Sequence, residues 1–421
     1  METTIHKRSQ VLRELEIFVG EDELNAAFDS AYAAIRPRMT LPGFRAGKAP
    51  ISLIKKMHGD AVEGDALEKL AQEKFKEIVE EQKLEPIGTP VMTDLHRHSG
   101  EGAHFKISYE VRPEITLASY EGTDVEQPIY TVTDKDVEER VHYLRFNYSE
   151  KTPATKIEDA ESIVNLHFTD NTNPDGPKNE HTAVYLQDPQ IVPELRDALI
   201  GKSLGDTFEI ELPQTIGGET KKSPVSITVE GVEKVTLPTV DEDFCKKISR
   251  DKATNEDEVR KLVRDELEAN VQRRSQEALE SNMVASLLGK HDFQVPRTYT
   301  YAIIDSMMKE AREENVRRGY PENYGIDEEE FRKTAWNNAE TRAKWLLLRE
   351  KLVEAMGLEA TEEDIKALAA KDAEQYGIPP ENLEKYYLSN EEVKERVRSE
   401  KLVEHLRTQF VINQKPVDTA A

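Results

Sequence analysis

Residues 30–59 contain no Asp or Glu, although Asp29 and Asp60 stand at either end, and the window carries Arg36, Arg38, Arg45, Lys48, Lys55 and Lys56. Guanidinium and ammonium groups gathered in this way suit phosphate or carboxylate partners. At the centre lies LPGFRAGKAP, residues 41–50. Gly43 and Gly47 admit positive φ and let the backbone come close to a partner. Phe44, set between Gly43 and Arg45, is an apolar anchor of the kind that carries binding energy at interfaces. Lys48 adds a second charge to that of Arg45. From the residues alone two readings stand side by side: a binding tip, or a solvated basic turn with Phe44 folded back on its neighbours.

The flanking residues are those needed to hold such a loop. Leu24, Phe28, Tyr32 and Ile35 recur at helical spacing, which predicts a helix over 21–35. Pro37 ends it, because proline cannot donate to the ladder and restricts the residue before it. A second helix is expected to open at Pro50, with Ile51, Ile54 and Met57 on its apolar side. A separate helix follows over about 64–83, carrying Leu67, Leu70, Phe75, Ile78 and Val79. Leu15, Ile17 and Val19 alternate as a strand, and residues 91–111 as paired strands, notably Phe105, Ile107 and Tyr109.

The rest of the chain has the opposite charge. Its 421 residues hold 82 Asp+Glu against 57 Lys+Arg, a net charge of −25. The length suggests two to four domains. A hydrophobic fraction of 37%, a charged fraction of 33% and a mean hydropathy of −0.67 are lean for a compact globule and predict an elongated protein. No segment approaches the ~18 apolar residues of a membrane span, and the first 20 residues lack a signal-peptide core, so neither a membrane nor secretion is expected. The single cysteine, Cys245, excludes an internal disulfide and suits a reducing cytoplasm. Such an acidic chain is repelled by nucleic acid in bulk, so DNA is not an expected partner and any RNA contact must be local. No phosphate-binding loop follows a strand, and His96-x-His98 with His104 nearby lacks a third fixed ligand. No cofactor and no metal are expected.

Turn residues and periodicity divide the chain. Five of the 20 Gly and five of the 20 Pro lie beyond residue 250, so turns dominate the first part and long helices the second. An α+β unit covers 1–112. A connector over 113–150 starts extended and becomes helical after a Thr133 cap. Residues 151–238 are β-rich, with strands at 163–168, 207–212 and 225–232 and a turn at Gly217-Gly218. Helices follow from about 241, with ends near Gly289, Gly319, Gly357 and Gly377. The last is expected to open on a capping box of Ser389 and Glu392 after the breaker Pro379-Pro380. The tail from Lys415 is expected to be loose.

GFRAGKAP at 43–50 matches the signature GFRxGKxP, and on this motif the chain resembles the trigger factor family of bacterial ribosome-associated chaperones. The resemblance runs collinearly through VRPEITLASYEG (111–122), VEQPIYTVTDKDV (125–137) and VTLPTVDEDFCKK (235–247) into the helical C-terminal half. It implies a multidomain α+β fold. A ribosome-binding domain with a helix–loop–helix tip covers 1–112, and 113–150 is a linker packing with the C-terminal domain. An FKBP-like middle domain covers 151–238, and an extended all-α chaperone domain covers 239–421. The docking role carries over to Phe44, Arg45 and Lys48, with Gly43 and Gly47 as backbone enablers. The implied partners are the large ribosomal subunit near its exit tunnel, through protein and rRNA, and nascent and unfolded polypeptides. The implied chaperone is ATP-independent, cytoplasmic and partly ribosome-associated, and dimerises when free.

The middle segment resembles an FKBP-type peptidyl-prolyl isomerase, most specifically in QIVPELRDALIGKSLGD (190–206). Such a domain needs no nucleophile. A dry aromatic pocket favours the twisted transition state of X–Pro rotation. The resemblance places Phe168, Val192, Leu195 and Ile227 in that pocket. Phe168 and Val192 keep the family's character, whereas Leu195 and Ile227 replace aromatic residues, and the aromatic-acidic pair has no counterpart over 174–182. These departures predict weak or absent isomerase activity, with the domain serving as an added binding surface. Two rivals remain at this stage: an active prolyl isomerase as the main role, and a ribosome-independent holdase in which the tip is only a basic turn.

Overall fold

Alternating apolar residues and helical stripes are laid down in the order β1 (Glu2–Lys7), β2 (Leu12–Gly20), α1 (Glu21–Ile35), α2 (Ile51–Gln82), β3 (Pro86–His98), β4 (Gly102–Val111), β5 (Asp124–Tyr130), α3 (Asp134–Asn147), β6 (Glu150–Ala154), β7 (Ser162–Asp170), β8 (Glu180–Tyr185), α4 (Pro193–Leu199), β9 (Thr207–Ile216) and β10 (Glu219–Thr236). Then come α5 (Glu242–Ser249), α6 (Glu256–Lys290), α7 (Arg297–Arg317), α8 (Glu328–Met356), α9 (Glu362–Tyr376), α10 (Pro380–Ser389), α11 (Glu391–Gln409) and β11 (Val411–Val417). The computed structural model describes residues 2–39, 44, 47–98, 100–170, 180–216 and 219–417. They gather into two compact units. One comprises residues 1–126 with 279–413, and the other residues 127–278 with those from 414 onward.

In the first unit an antiparallel sheet runs in the order β1-β2-β4-β3. Leu15, Ile17 and Val19 on β2 and Phe105, Ile107 and Tyr109 on β4 share its inner face, as their period of two requires. Leu24, Phe28 and Tyr32 of α1 and Leu67, Leu70 and Ile78 of α2 close the same core. The two helices expected over 50–83 are one continuous helix of 32 residues. Gly59, a weak helix former, lies inside it at the crossing with α1, where a Cβ would come within 3.4 Å of the Tyr32 hydroxyl oxygen. Its small size favours close approach there, and packing of the stripe on α1 outweighs its propensity cost of about 1 kcal/mol.

The helical part of this unit packs around Leu279, Met283, Leu287, Leu348, Leu352 and Leu406. A second cluster joins α9, α10 and α11 through Ile365, Leu368, Tyr387 and Val397. Trp336 with Met307, and Trp345, are partly buried against separate clusters. Three details depart from expectation. Pro380 opens α10 at its first turn, where a missing N–H costs nothing, so the Pro-Pro pair starts a helix as well as ending a linker. Asn390, not Ser389, caps α11, accepting from the Glu392 amide. The tail expected to be loose continues as β11 to Val417 and pairs with β5, so the C-terminal region is helical except for that strand.

In the second unit, β10 is the spine of a five-stranded antiparallel sheet, with β6 and β7 on either side, β8 beyond β7, and β9 folded back along β10. Ile157, Leu166, Leu186, Leu199 and Ile227 fill its core. The expected Gly217-Gly218 turn lies outside the described residues. The cap proposed for α3 is a full capping box between Thr133 and Asp136. Val137 and Val141 of α3 pack with Cys245, Val259 and Val263.

Candidate functional site

Of the five tip residues, Phe44, Gly47 and Lys48 are described, and Gly43 and Arg45 lie outside the described residues. The stem is α1 and the first turns of α2, with a 3-10 turn over Arg36–Arg38 where Pro37 was expected to stop the helix. Gly47 sits at φ +76°, a left-handed conformation that strains any side chain, with Pro37 directly beneath it. Ala49 is buried in the sheet-and-helix core and pins the return of the loop. Pro50 precedes the first turn of α2.

Apolar surface is exposed where it is costly to leave it. Phe44 is 41% exposed, Ile51 41% and Met57 52%. Of the expected apolar side, Ile51, Ile54 and Met57, only Ile54 is buried, while Leu53 packs partly against the same core. Ile51 and Met57 share the acid-free segment with exposed Arg38, Lys48, Lys55 and Lys56. Large apolar side chains ringed by one sign of charge are suited to a partner that is itself apolar and anionic.

A residue that sequence reasoning passed over holds the stem together. Glu63 of α2 accepts the Tyr32 hydroxyl at 2.9 Å and Arg97 Nη1 of β3 at 2.7 Å, with Lys55 Nζ at 3.6 Å. Arg97 also lies over the Phe28 ring at 4.7 Å. Burial pushes the Glu63 carboxyl up, but the Tyr32 and Arg97 hydrogen bonds and the nearby cations outweigh it and hold it below 4.5. Burial first, and then the Glu63 hydrogen bond and charge, push the Tyr32 hydroxyl up to about 12. Asp60 stands nearer to the acid-free window than Glu63 does, so nothing local in the sequence singled Glu63 out.

In the second unit the four isomerase-like residues come together in one apolar cluster. Ile227 is fully buried, Leu195 is buried, and Phe168 and Val192 are half-buried beside them. Ile227 stands opposite Phe168 on one neighbouring strand and Phe208 on the other. Aliphatic carbon therefore lies where the expected pocket would need an aromatic floor.

The family described as bacterial trigger factor protein matches residues 1–144, and its C-terminal counterpart matches residues 257–408. Relatives named trigger factor align over nearly the whole chain. That of Salinibacter ruber is 29% identical over 99% of this chain and 95% of its own length. That of Chlorobaculum tepidum is 28% identical over the full length of both. That of Chlorobaculum parvum is 30% identical over 93% of this chain and 92% of its own. With the helical C-terminal region, the stem-borne basic tip and these matches in hand, the chain belongs to the trigger factor family of ribosome-associated chaperones.

Proposed function

We propose that the chain docks on the large ribosomal subunit beside the exit tunnel through Phe44, Arg45 and Lys48, with Gly43 and Gly47 allowing the backbone to approach. The observation that carries this reading is the exposure of Phe44, Ile51 and Met57 within a segment free of carboxylates. Phe44 and its apolar neighbours meet ribosomal protein, and the cations meet rRNA phosphate. The helical body, with help from the other parts of the chain, holds emerging apolar segments and delays their misfolding without ATP. The protein works in the cytoplasm, partly on ribosomes, and dimerises when free. The 151–238 domain acts as an added binding surface, its isomerase activity weak for want of aromatic lining at Leu195 and Ile227.

Co-sedimentation with ribosomes tests the assignment. The chain with Phe44, Arg45 and Lys48 all changed to Ala should stay in the supernatant while keeping its fold by circular dichroism. Unchanged pelleting would defeat the docking tip and favour a ribosome-independent holdase.

A further inference from the structure

The outer face of the five-stranded sheet carries two histidines and a glutamate on three neighbouring strands of the second unit. Alternation turns Leu166 and Phe168 of β7 toward the core and His167 away from it. His181 of β8 stands directly opposite His167. Their rings lie nearly parallel, with centres 4.7 Å apart. On the other side of β7, Glu230 is the extra residue of a bulge in β10, because Val229 pairs with Leu166 and Gly231 with Asn165. Bulges re-aim side chains, and this one sets Glu230 against both imidazoles. His181 Nδ1 donates to Glu230 Oε2 at 2.7 Å, and His167 Nδ1 lies 3.8 Å from Oε1. The three residues share no local motif; the sheet brings them together.

We propose that His167, His181 and Glu230 bind a divalent transition-metal ion, with zinc the best match, and that the ion ties β7, β8 and β10 together. Two imidazoles and a carboxylate suit zinc and are a poor set for magnesium or calcium, which take oxygen ligands. Two ligands of one tetrahedral zinc ion stand about 3.3 Å apart. The distances to Glu230, 2.7 and 3.8 Å, lie on either side of that value. Zinc takes the place of the proton between His181 and Glu230 and releases it. A simple ion pair at this exposure is worth little, and it needs one imidazole rather than two on the same carboxylate.

Among the described residues no three His, Cys, Asp or Glu side chains are already posed around one point. Here the remaining movement is small. The two rings must tilt out of their stack so that both Nδ1 atoms meet one ion. The His181 side chain is 63% exposed, so it turns without disturbing the core. A fourth position is left to water. The site is separate from the isomerase-like cluster, since Phe168 and Ile227 face the core on the other side of the sheet. It does not depend on the docking tip either, since no residue of 30–59 takes part.

The test uses the untagged full chain, treated with a chelator, and zinc chloride as the probe. Calorimetry should show one tight zinc step per chain that magnesium chloride does not give. His167→Ala, His181→Ala and Glu230→Gln should each weaken that step by about 10-fold or more, since even the outer partners of a metal ligand are worth that much. The double change His96→Ala and His98→Ala should leave it unchanged, which separates this site from the other histidine-bearing face, that of β3 and β4. Zinc should also raise the unfolding temperature of the unaltered chain and not that of His181→Ala, whose exposed position should leave the fold intact by circular dichroism. No zinc step, an equal step with magnesium, a step that survives any of the three single changes, or one abolished by the double change would each overturn the site. A bound ion that raised no unfolding temperature would overturn the tie between the strands.

Discussion

The Tyr32 hydroxyl of α1 donates to the Glu63 carboxylate of α2 at 2.9 Å, joining two helices across 31 residues of sequence at the base of the basic tip. Arg97 of β3 reaches the other oxygen of the same carboxylate, so the stem is tied both to itself and to the sheet. The Glu63 side chain is only 16% exposed, so the group is screened less than a surface ion pair. Glu63→Gln should cost about 1–2 kcal/mol in chemical unfolding, and Glu63→Ala more, because Arg97 then loses its partner.

The same carboxylate makes stability depend on pH in a definite direction. Its value is held below 4.5 in the fold, so it contributes stability in full above 4.5, and that contribution is lost as pH falls through the depressed value. Unfolding midpoints measured from neutral pH down well below 4.5 should converge for the unaltered chain and Glu63→Gln. A gap that stays constant into acid would show that the carboxylate charge is not what ties the stem.

The ends of α1, α8 and α9, the alternation of β2 and β4 and the composition of the tip were legible because each rests on local chemistry: periodicity, prolines, caps and an absence of acids. Glu63 with Arg97 was not, because their meeting depends on which strand the sheet brings next to α2. The joining of two helices into α2 was missed for the same reason, since the contact that overrides Gly59 is with Tyr32. At α10, Pro380 satisfies a stop rule and a start rule at once, and only Leu383 and Tyr387 packing on α9 decides between them. Phe168, Val192, Leu195 and Ile227, named by resemblance, fall in one apolar cluster, which the alternation of β7 and β10 brings together.

His291 shows how the connector is secured. It is 3% exposed, its Nδ1 donates to the Leu287 carbonyl at 2.7 Å, and its Nε2 accepts the Ala118 amide at 3.0 Å. The imidazole thus donates through one ring nitrogen and accepts through the other. His291→Ala should cost about 2–4 kcal/mol, from a cavity and an orphaned amide together. His291→Gln keeps groups of both kinds and should recover part of that loss in urea unfolding.

The C-terminal strand offers a test of its own. Phe410 is buried and stacks on Tyr120 with ring centres 5.9 Å apart, and the Val411 amide donates to the Thr123 carbonyl at 2.9 Å. Ending the chain at Gln409 should therefore expose the 115–125 connector to protease. Ending it at Val417 should leave the digestion pattern unchanged. Equal patterns for both truncations would contradict the pairing of β11 with β5.

The tip yields the sharpest prediction, because it departs from a habit of the rest of the chain. Carboxylates fill the first turn of α1, α3, α5, α6, α8, α9 and α11, where they complement the helix dipole. At α7, which lacks them, Glu110 of β4 accepts the Arg297 and Thr298 amides at 2.8 and 2.9 Å and does the same work from a distance. The first turn of α2 has no acid, and it is the turn nearest Lys48 and Phe44. Ser52 is exposed in that turn, so Ser52→Glu should leave the fold as stable or raise its stability by about 0.3–1 kcal/mol. Ribosome affinity should nevertheless fall, because a carboxylate then stands among the cations that meet phosphate. Lys48→Ala should weaken binding and reduce the slope of log affinity against log salt by about 1, while Phe44→Ala should weaken it with the slope unchanged. If Ser52→Glu gained stability and kept full affinity across the salt series, the acid-free window would have no electrostatic role in docking.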